Sequence, residues 1–181
     1  MQQTSRSQTW RISTVNGALL ALYFIPTWSF YAFRIMISPI QGLYERPNIS
    51  IALYLSDFLH VSSMGSVRYA WLLAIGKLTV VAFFAVFLVF ATRASVRKSG
   101  GYDEALGVAI ALGSVISFAS MMMASRIGEI VAMRLHITEL LMLLGCAVLM
   151  AIEPPLLRDH ADNDAPDHAA PDFYPFSNPS S

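Results

Sequence analysis

The chain has 181 residues, of which 55% are hydrophobic and 13% charged, and twelve basic side chains balance twelve acidic ones. A soluble domain is nearer one quarter charged, and the mean hydropathy of +0.54 points the same way, toward lipid. Zero formal charge excludes the basic footprint of a nucleic-acid binder, and a single cysteine, Cys146, excludes an intrachain disulfide and offers no metal-site spacing.

Residues 1–11 are polar and carry Arg6, Arg11 and Trp10. Residues 12–33 follow without a formal charge. The run exceeds the 7–15 residues of a signal-peptide core, so it reads as an uncleaved first membrane span. Pro26 cannot donate to the Leu22 carbonyl, which predicts a kink there. Trp28 and Tyr31 near its far end fit an interfacial aromatic belt.

Residues 34–68 are broken by Pro39, Gly42 and Pro47. Ser50 then offers a cap for a short helix over 51–61. Ile51, Tyr54, Leu55 and Phe58 share one face of it, with Asp57 and His60 opposite. A dozen residues cannot cross a bilayer, so the segment reads as an interfacial amphipathic helix.

The stretch 69–92, YAWLLAIGKLTVVAFFAVFLVFAT, is bracketed by Arg68 and Arg93. As a helix it covers about 36 Å, more than the ~30 Å of hydrocarbon. Its one charge is Lys77. A polar link with Arg97, Lys98 and a Gly100-Gly101 pair leads to the third span, 105–125. There Ala105, Ala109, Gly113 and Ser117 recur every fourth residue, and Ser120, Ala124 and Gly128 extend the small surface. Such rows let helix backbones approach closely. Residues 126–134 hold Arg126 and Arg134 and no proline, so helix can continue through them. The fourth span covers 135–152 and ends at Pro154-Pro155. Residues 154–181, rich in aspartate and proline, have the composition of a disordered acidic tail. Within it Phe173, Tyr174 and Phe176 form an aromatic cluster suited to docking on a partner.

The expected fold is therefore an all-α integral membrane protein: a four-transmembrane-helix bundle over 12–153, with an interfacial amphipathic helix between the first and second spans. That layout resembles the small DoxX-type membrane proteins in topology alone, and no motif carries residues across. Basic residues near the helix ends set orientation. Arg6, Arg11, Arg93, Arg97, Lys98 and Arg158 fall on the side of the termini, against Arg34, Arg46, Arg68, Arg126 and Arg134 on the other. This predicts both termini in the cytoplasm.

Ionisable groups at membrane depth are the functional candidates. Lys77 needs a carboxylate, a wet cavity or a route for its stem to the surface. The second and fourth spans run the same way, and the depth offset to Glu139 is about 6 Å, so Lys77 and Glu139 are the expected intramembrane pair. A second constellation is metal-like. Glu129, His136 and Glu139 share one face of a continuous helix, and Asp57 and His60 are three apart. Together they supply the donor types of an iron or zinc site at the outer face. A haem would have only His60 and His136 as axial candidates. No phosphate-binding loop, zinc-protease helix or serine-nucleophile elbow occurs in the chain, and no cofactor is assigned.

The resulting expectation is a non-catalytic subunit within a larger membrane assembly, with lipid and other membrane subunits or further copies of itself as partners. Its supports are the small-residue face, the aromatic second span (Phe83, Phe84, Phe87, Phe90) and the tail. The alternatives are a small oligomeric carrier or channel using Lys77 and Glu139, and a membrane oxidoreductase or metal-dependent enzyme using the outer polar cluster.

Overall fold

Each apolar run of the sequence closes its backbone hydrogen bonds within itself, the arrangement that lipid demands of a spanning segment. A computed structural model describes residues 12–93 and 101–153. Its helices are α1 (Ile12–Ile37), α2 (Pro39–Leu43), α3 (Ile49–Asp57), α4 (Ser63–Thr92), α5 (Gly101–Ile127) and α6 (Ile130–Ile152). Four of them, α1, α4, α5 and α6, are long and apolar enough to cross a membrane. The protein is an all-α, multi-pass integral membrane protein built as a four-helix bundle. The polar stretch 1–11, the link 94–100 and the tail 154–181 with Phe173, Tyr174 and Phe176 lie outside the described residues.

The spanning helices run past the apolar cores that mark them in the sequence. The second begins at Ser63, where the Ser62 hydroxyl accepts from the Gly65 N–H at 3.4 Å. At 30 residues it is about 45 Å long, so it stands clear of the hydrocarbon. Pro26 lies inside α1, and the helix continues through it to Ile37. Helix does not continue through 126–134. Gly128 takes φ +76°, and the Glu129 N–H reaches back to the Ala124 carbonyl at 3.0 Å. A left-handed glycine with such a six-residue closure is a helix stop. Gly128 therefore ends α5 instead of extending its packing face, and α6 starts at Ile130.

In the bundle α1 packs on α4, α4 on α5, and α5 on α6, while α6 returns to α1. The row Ala105, Ala109, Gly113 and Ser117 is buried. A Cβ on Gly113 would lie 3.3 Å from Leu143 and 3.6 Å from Val80, so the small residues of α5 bring α4 and α6 close to it within this chain. Phe84 and Phe87 of α4 are also wholly buried.

Residues 38–62 fold over one end of the bundle, called here the capped end. Pro39 occupies the first turn of α2, where its missing N–H costs nothing. α2 lies against α1 and α4. A Cβ on Gly42 would sit 2.7 Å from the Ile35 Cα, so backbone meets backbone there. α3 packs on α5 and buries Ser50, Ile51, Ala52 and Leu55. It ends at Asp57, earlier than its hydrophobic pattern suggests. Phe58 is exposed and stacks on Tyr54 at 5.3 Å. His60 adopts φ +46° in the turn into α4.

Two apolar clusters result. The larger joins Leu20, Phe24, Phe84, Phe87, Leu106, Leu143 and their neighbours. The smaller, at the capped end, joins Ala32, Ile35, Leu43, Ile51, Leu55, Ala70 and Ala74.

Candidate functional site

Between those clusters lies a layer of polar side chains, one or more from every spanning helix. Lys77 sits at the centre of α4, about 21 Å of helix from either end, and is 2% exposed. A free ammonium in that position would be expensive, by about 2.5–3.5 kcal/mol on insertion scales. Here its Nζ donates to the Asn48 Oδ1 at 2.7 Å. It also lies 5.7 Å from the Trp28 ring centroid and 5.6 Å from that of Tyr31, within cation–π reach of both.

Asn48 comes from the cap, at the residue before α3. It is fully buried. Its amide Nδ2 donates to the Gly42 carbonyl at 3.0 Å, and that bond fixes which way the Oδ1 points. The close approach of Gly42 to α1 thus sets the position of the acceptor for Lys77.

Glu139 is held from three sides. The Trp28 Nε1–H donates to its Oε1 at 3.1 Å, and the Ser117 hydroxyl donates to its Oε2 at 3.2 Å. The His136 Nδ1 lies 3.0 Å from the same Oε2, and the His136 Nε2 lies 2.9 Å from the Pro47 carbonyl of the cap. Glu139 and His136 are each 3% exposed. The layer is thus one connected structure, running from Gly42 through Asn48, Lys77, Trp28, Glu139 and His136 to Pro47. Both of its ends are anchored on cap backbone.

Several sequence expectations take a different form. Lys77 and Glu139 share one layer and interact through space, but Lys77 donates to Asn48, and Trp28 contacts both, its ring facing Lys77 and its N–H donating to Glu139. Trp28 is 2% exposed, an interior ligand and not a belt residue. The five proposed metal ligands do not gather. Asp57 and His60 are exposed at the end of the cap, and Glu129 sits half-buried in the α5–α6 turn. Only His136 and Glu139 meet, and no group of three such donors forms among the described residues. Asn48, the Pro47 carbonyl and Trp28 are the functional groups that sequence reasoning missed. Asn48 and Pro47 carry no local signal, because a Pro-Asn pair in a broken loop reads as a turn.

A second polar contact closes the far end of the bundle. The Ser13 N–H and hydroxyl both donate to the Glu153 carboxylate, and the Thr14 hydroxyl donates to the Tyr102 oxygen at 3.4 Å. At the capped end Arg34 and Glu45 pair at 2.7 Å on the rim. An open groove of about 300 Å³ runs along the α1–α6 seam, lined by Asn16, Leu19, Leu20, Tyr23, Leu141, Met142 and Gly145.

The sequence matches no protein-family model, and comparison with curated proteins and with solved structures finds no match. The reading of function rests on the layer itself.

Proposed function

We propose that the chain is a small integral membrane carrier that handles protons, with the layer built on Lys77, His136 and Glu139 as its working site. The observation that carries this reading is the burial of Lys77 at mid-helix, where among the described residues its hydrogen bond goes to Asn48 and not to a carboxylate. Two buried charges of opposite sign are least costly when they touch. Here Lys77 is instead solvated by a neutral amide and two aromatic rings, and Glu139 by Trp28, Ser117 and His136, which together make a line of exchangeable hydrogens. Ionisable side chains facing a bundle interior are the usual constituents of proton paths.

The test is direct. The purified protein is placed in liposomes that enclose a pH-sensitive dye, and a valinomycin-set potassium gradient drives protons inward. The wild type should acidify the lumen faster than protein-free vesicles. Glu139→Gln, which keeps the shape of the side chain, should remove the excess. Wild-type traces that match empty vesicles would overturn the proposal.

A second reading is a non-catalytic subunit, or a self-associating bundle, within a larger membrane assembly. The large apolar side chains directed outward from α1, among them Leu19, Leu22, Phe30 and Phe33, support it. The small residues of α5 and Phe84 and Phe87 of α4 do not, because they are used within the chain. A partner that co-purifies at fixed stoichiometry in mild detergent would select this reading. Under either, we place both termini in the cytoplasm, on the side of the tighter basic clusters around Arg6, Arg11, Arg93, Arg97 and Lys98, with the cap facing the opposite compartment.

A further inference from the structure

The two contacts of His136 define a requirement for hydrogen. The Pro47 carbonyl can only accept, so the Nε2 that faces it at 2.9 Å must carry a hydrogen. A neutral imidazole has only one. The Nδ1 that faces the Glu139 Oε2 at 3.0 Å then meets a carboxylate with a bare lone pair, unless a further proton lies between them. Glu139 has no freedom to turn away. Its Oε1 accepts from Trp28, whose N–H is donor only, and its Oε2 also accepts from Ser117.

We infer that His136 and Glu139 bind one proton between Nδ1 and Oε2, and that this proton holds the cap closed over Lys77. The inference rests on the reading of the layer as a proton-handling site and names how that site is regulated. With the proton in place, both imidazole nitrogens donate, one to Glu139 and one to Pro47. Once it leaves, a single hydrogen remains for two acceptors. It goes to the carboxylate, because a charge-assisted hydrogen bond is roughly twice as strong as a neutral one. The Nε2 lone pair then opposes the Pro47 carbonyl. Pro47 is joined directly to Asn48, the acceptor for Lys77, so the repulsion falls on the residue that closes the layer.

Among the described residues, the groups around the pair begin with the Trp28 N–H on the Glu139 Oε1. The spanning helices contribute Tyr23 and Tyr31 of α1, Lys77 of α4 and the Ser117 hydroxyl of α5. The cap contributes the Pro47 carbonyl and the Asn48 amide, and its Glu45 is engaged by Arg34 at the rim. The Ser50 hydroxyl, two residues beyond Asn48, is buried and has no hydrogen-bond partner among the described residues.

The full-length protein in lipid nanodiscs, labelled with 15N-histidine, tests this. The chain has four histidines, and the His136 signal is the one that His136→Gln removes. Two protonated ring nitrogens are expected while the cap is closed, with the signature lost in Glu139→Gln. A Glu139 carboxylic-acid band in the infrared, together with a hydrogen on Nε2 alone, locates the same proton on the other partner and equally supports the inference. As pH rises and the signature fades, the hydrogen-exchange protection of residues 48–58, corrected for intrinsic rate, should fall at least ten-fold. His136→Gln should show no such step. A His136 with one hydrogen, on Nδ1, beneath a protected cap would overturn the inference, as would protection that does not change when the proton leaves. Liposome flux is read separately. Flux without the signature removes the shared proton and leaves the carrier reading, and the signature without flux does the reverse.

Discussion

Asn48→Ala is the most informative single change in this fold. The side chain makes two bonds, one from the Lys77 ammonium at 2.7 Å and one to the Gly42 carbonyl at 3.0 Å. A hydrogen bond to a charged group contributes about 1.5–3 kcal/mol and a neutral one about 0.5–1.5, so the truncation should cost roughly 2–4 kcal/mol. For a chain of this length that is a fall in Tm of about 4–16 °C. Lys77→Met removes the buried charge itself but leaves the Asn48 Oδ1 without its donor and Glu139 without its opposite charge, so it should also lower stability, by roughly 1–3 kcal/mol. In the Lys77→Met background Asn48→Ala should cost only the Gly42 bond, roughly 1 kcal/mol, which leaves a coupling energy of about 1.5–3 kcal/mol. The protein carries its own reporter. Cys146 is the sole cysteine and is fully buried, so a thiol-reactive fluorophore reads unfolding in detergent without an engineered label. Equal Tm losses for Asn48→Ala in both backgrounds would refute the reasoning, for they would mean that Lys77 is stabilised by something other than the cap.

Gly42→Ala should reproduce the Asn48→Ala phenotype without removing any hydrogen-bonding side chain of the layer, because its Cβ would meet the Ile35 backbone at 2.7 Å and that backbone cannot yield; the thiol assay should show a loss of at least about 2 kcal/mol, cancelled in part by Lys77→Met. Trp28→Phe keeps a ring near Lys77 but removes the donor to the Glu139 Oε1, and should lower stability by roughly 1.5–3 kcal/mol in the same assay. Gly113→Ala meets only the tip of Leu143 at 3.3 Å and should cost about 1 kcal/mol, whereas Gly113→Leu must part α5 from α4 and α6 and should cost about 3 kcal/mol or more.

The sequence carried the spanning helices plainly, because length and apolarity are sums over adjacent residues. It also flagged Lys77, His136 and Glu139, since an ionisable group within an apolar run stands out by itself. What it did not carry are the partners. The bond from Lys77 to Asn48 spans 29 positions and that from His136 to Pro47 spans 89. Both depend on a fold-over of residues 38–62 that no periodicity encodes. Trp28 was misread for a related reason. An aromatic near the end of an apolar run looks interfacial until the run is found to extend to Ile37. The five candidate metal ligands do not gather because their meeting depended on where the element bearing Asp57 and His60 docks, which spacing along the chain does not encode. Asp57 and His60 both belong to the cap, but to its exposed end, away from the buried face of α3 that meets the bundle.

The layer has a structural consequence whatever its chemistry. Lipid tails are as apolar as leucine, so apolar contacts alone give spanning helices little reason to prefer one register. A polar atom that must find its partner supplies that reason. Trp28, Lys77, Ser117 and Glu139 come from four different spanning helices and are fixed at one level by bonds that a shift of one residue, about 1.5 Å, would strain. Register alone, however, does not require a charge at Lys77. A neutral side chain bonded to Asn48 would specify the same level at smaller desolvation cost. The ammonium is therefore the component that a purely structural account leaves over. Lys77→Met separates the two roles. A variant that stays folded and loses proton flux assigns the charge to function, and one that stays folded with normal flux reduces the layer to a device for alignment.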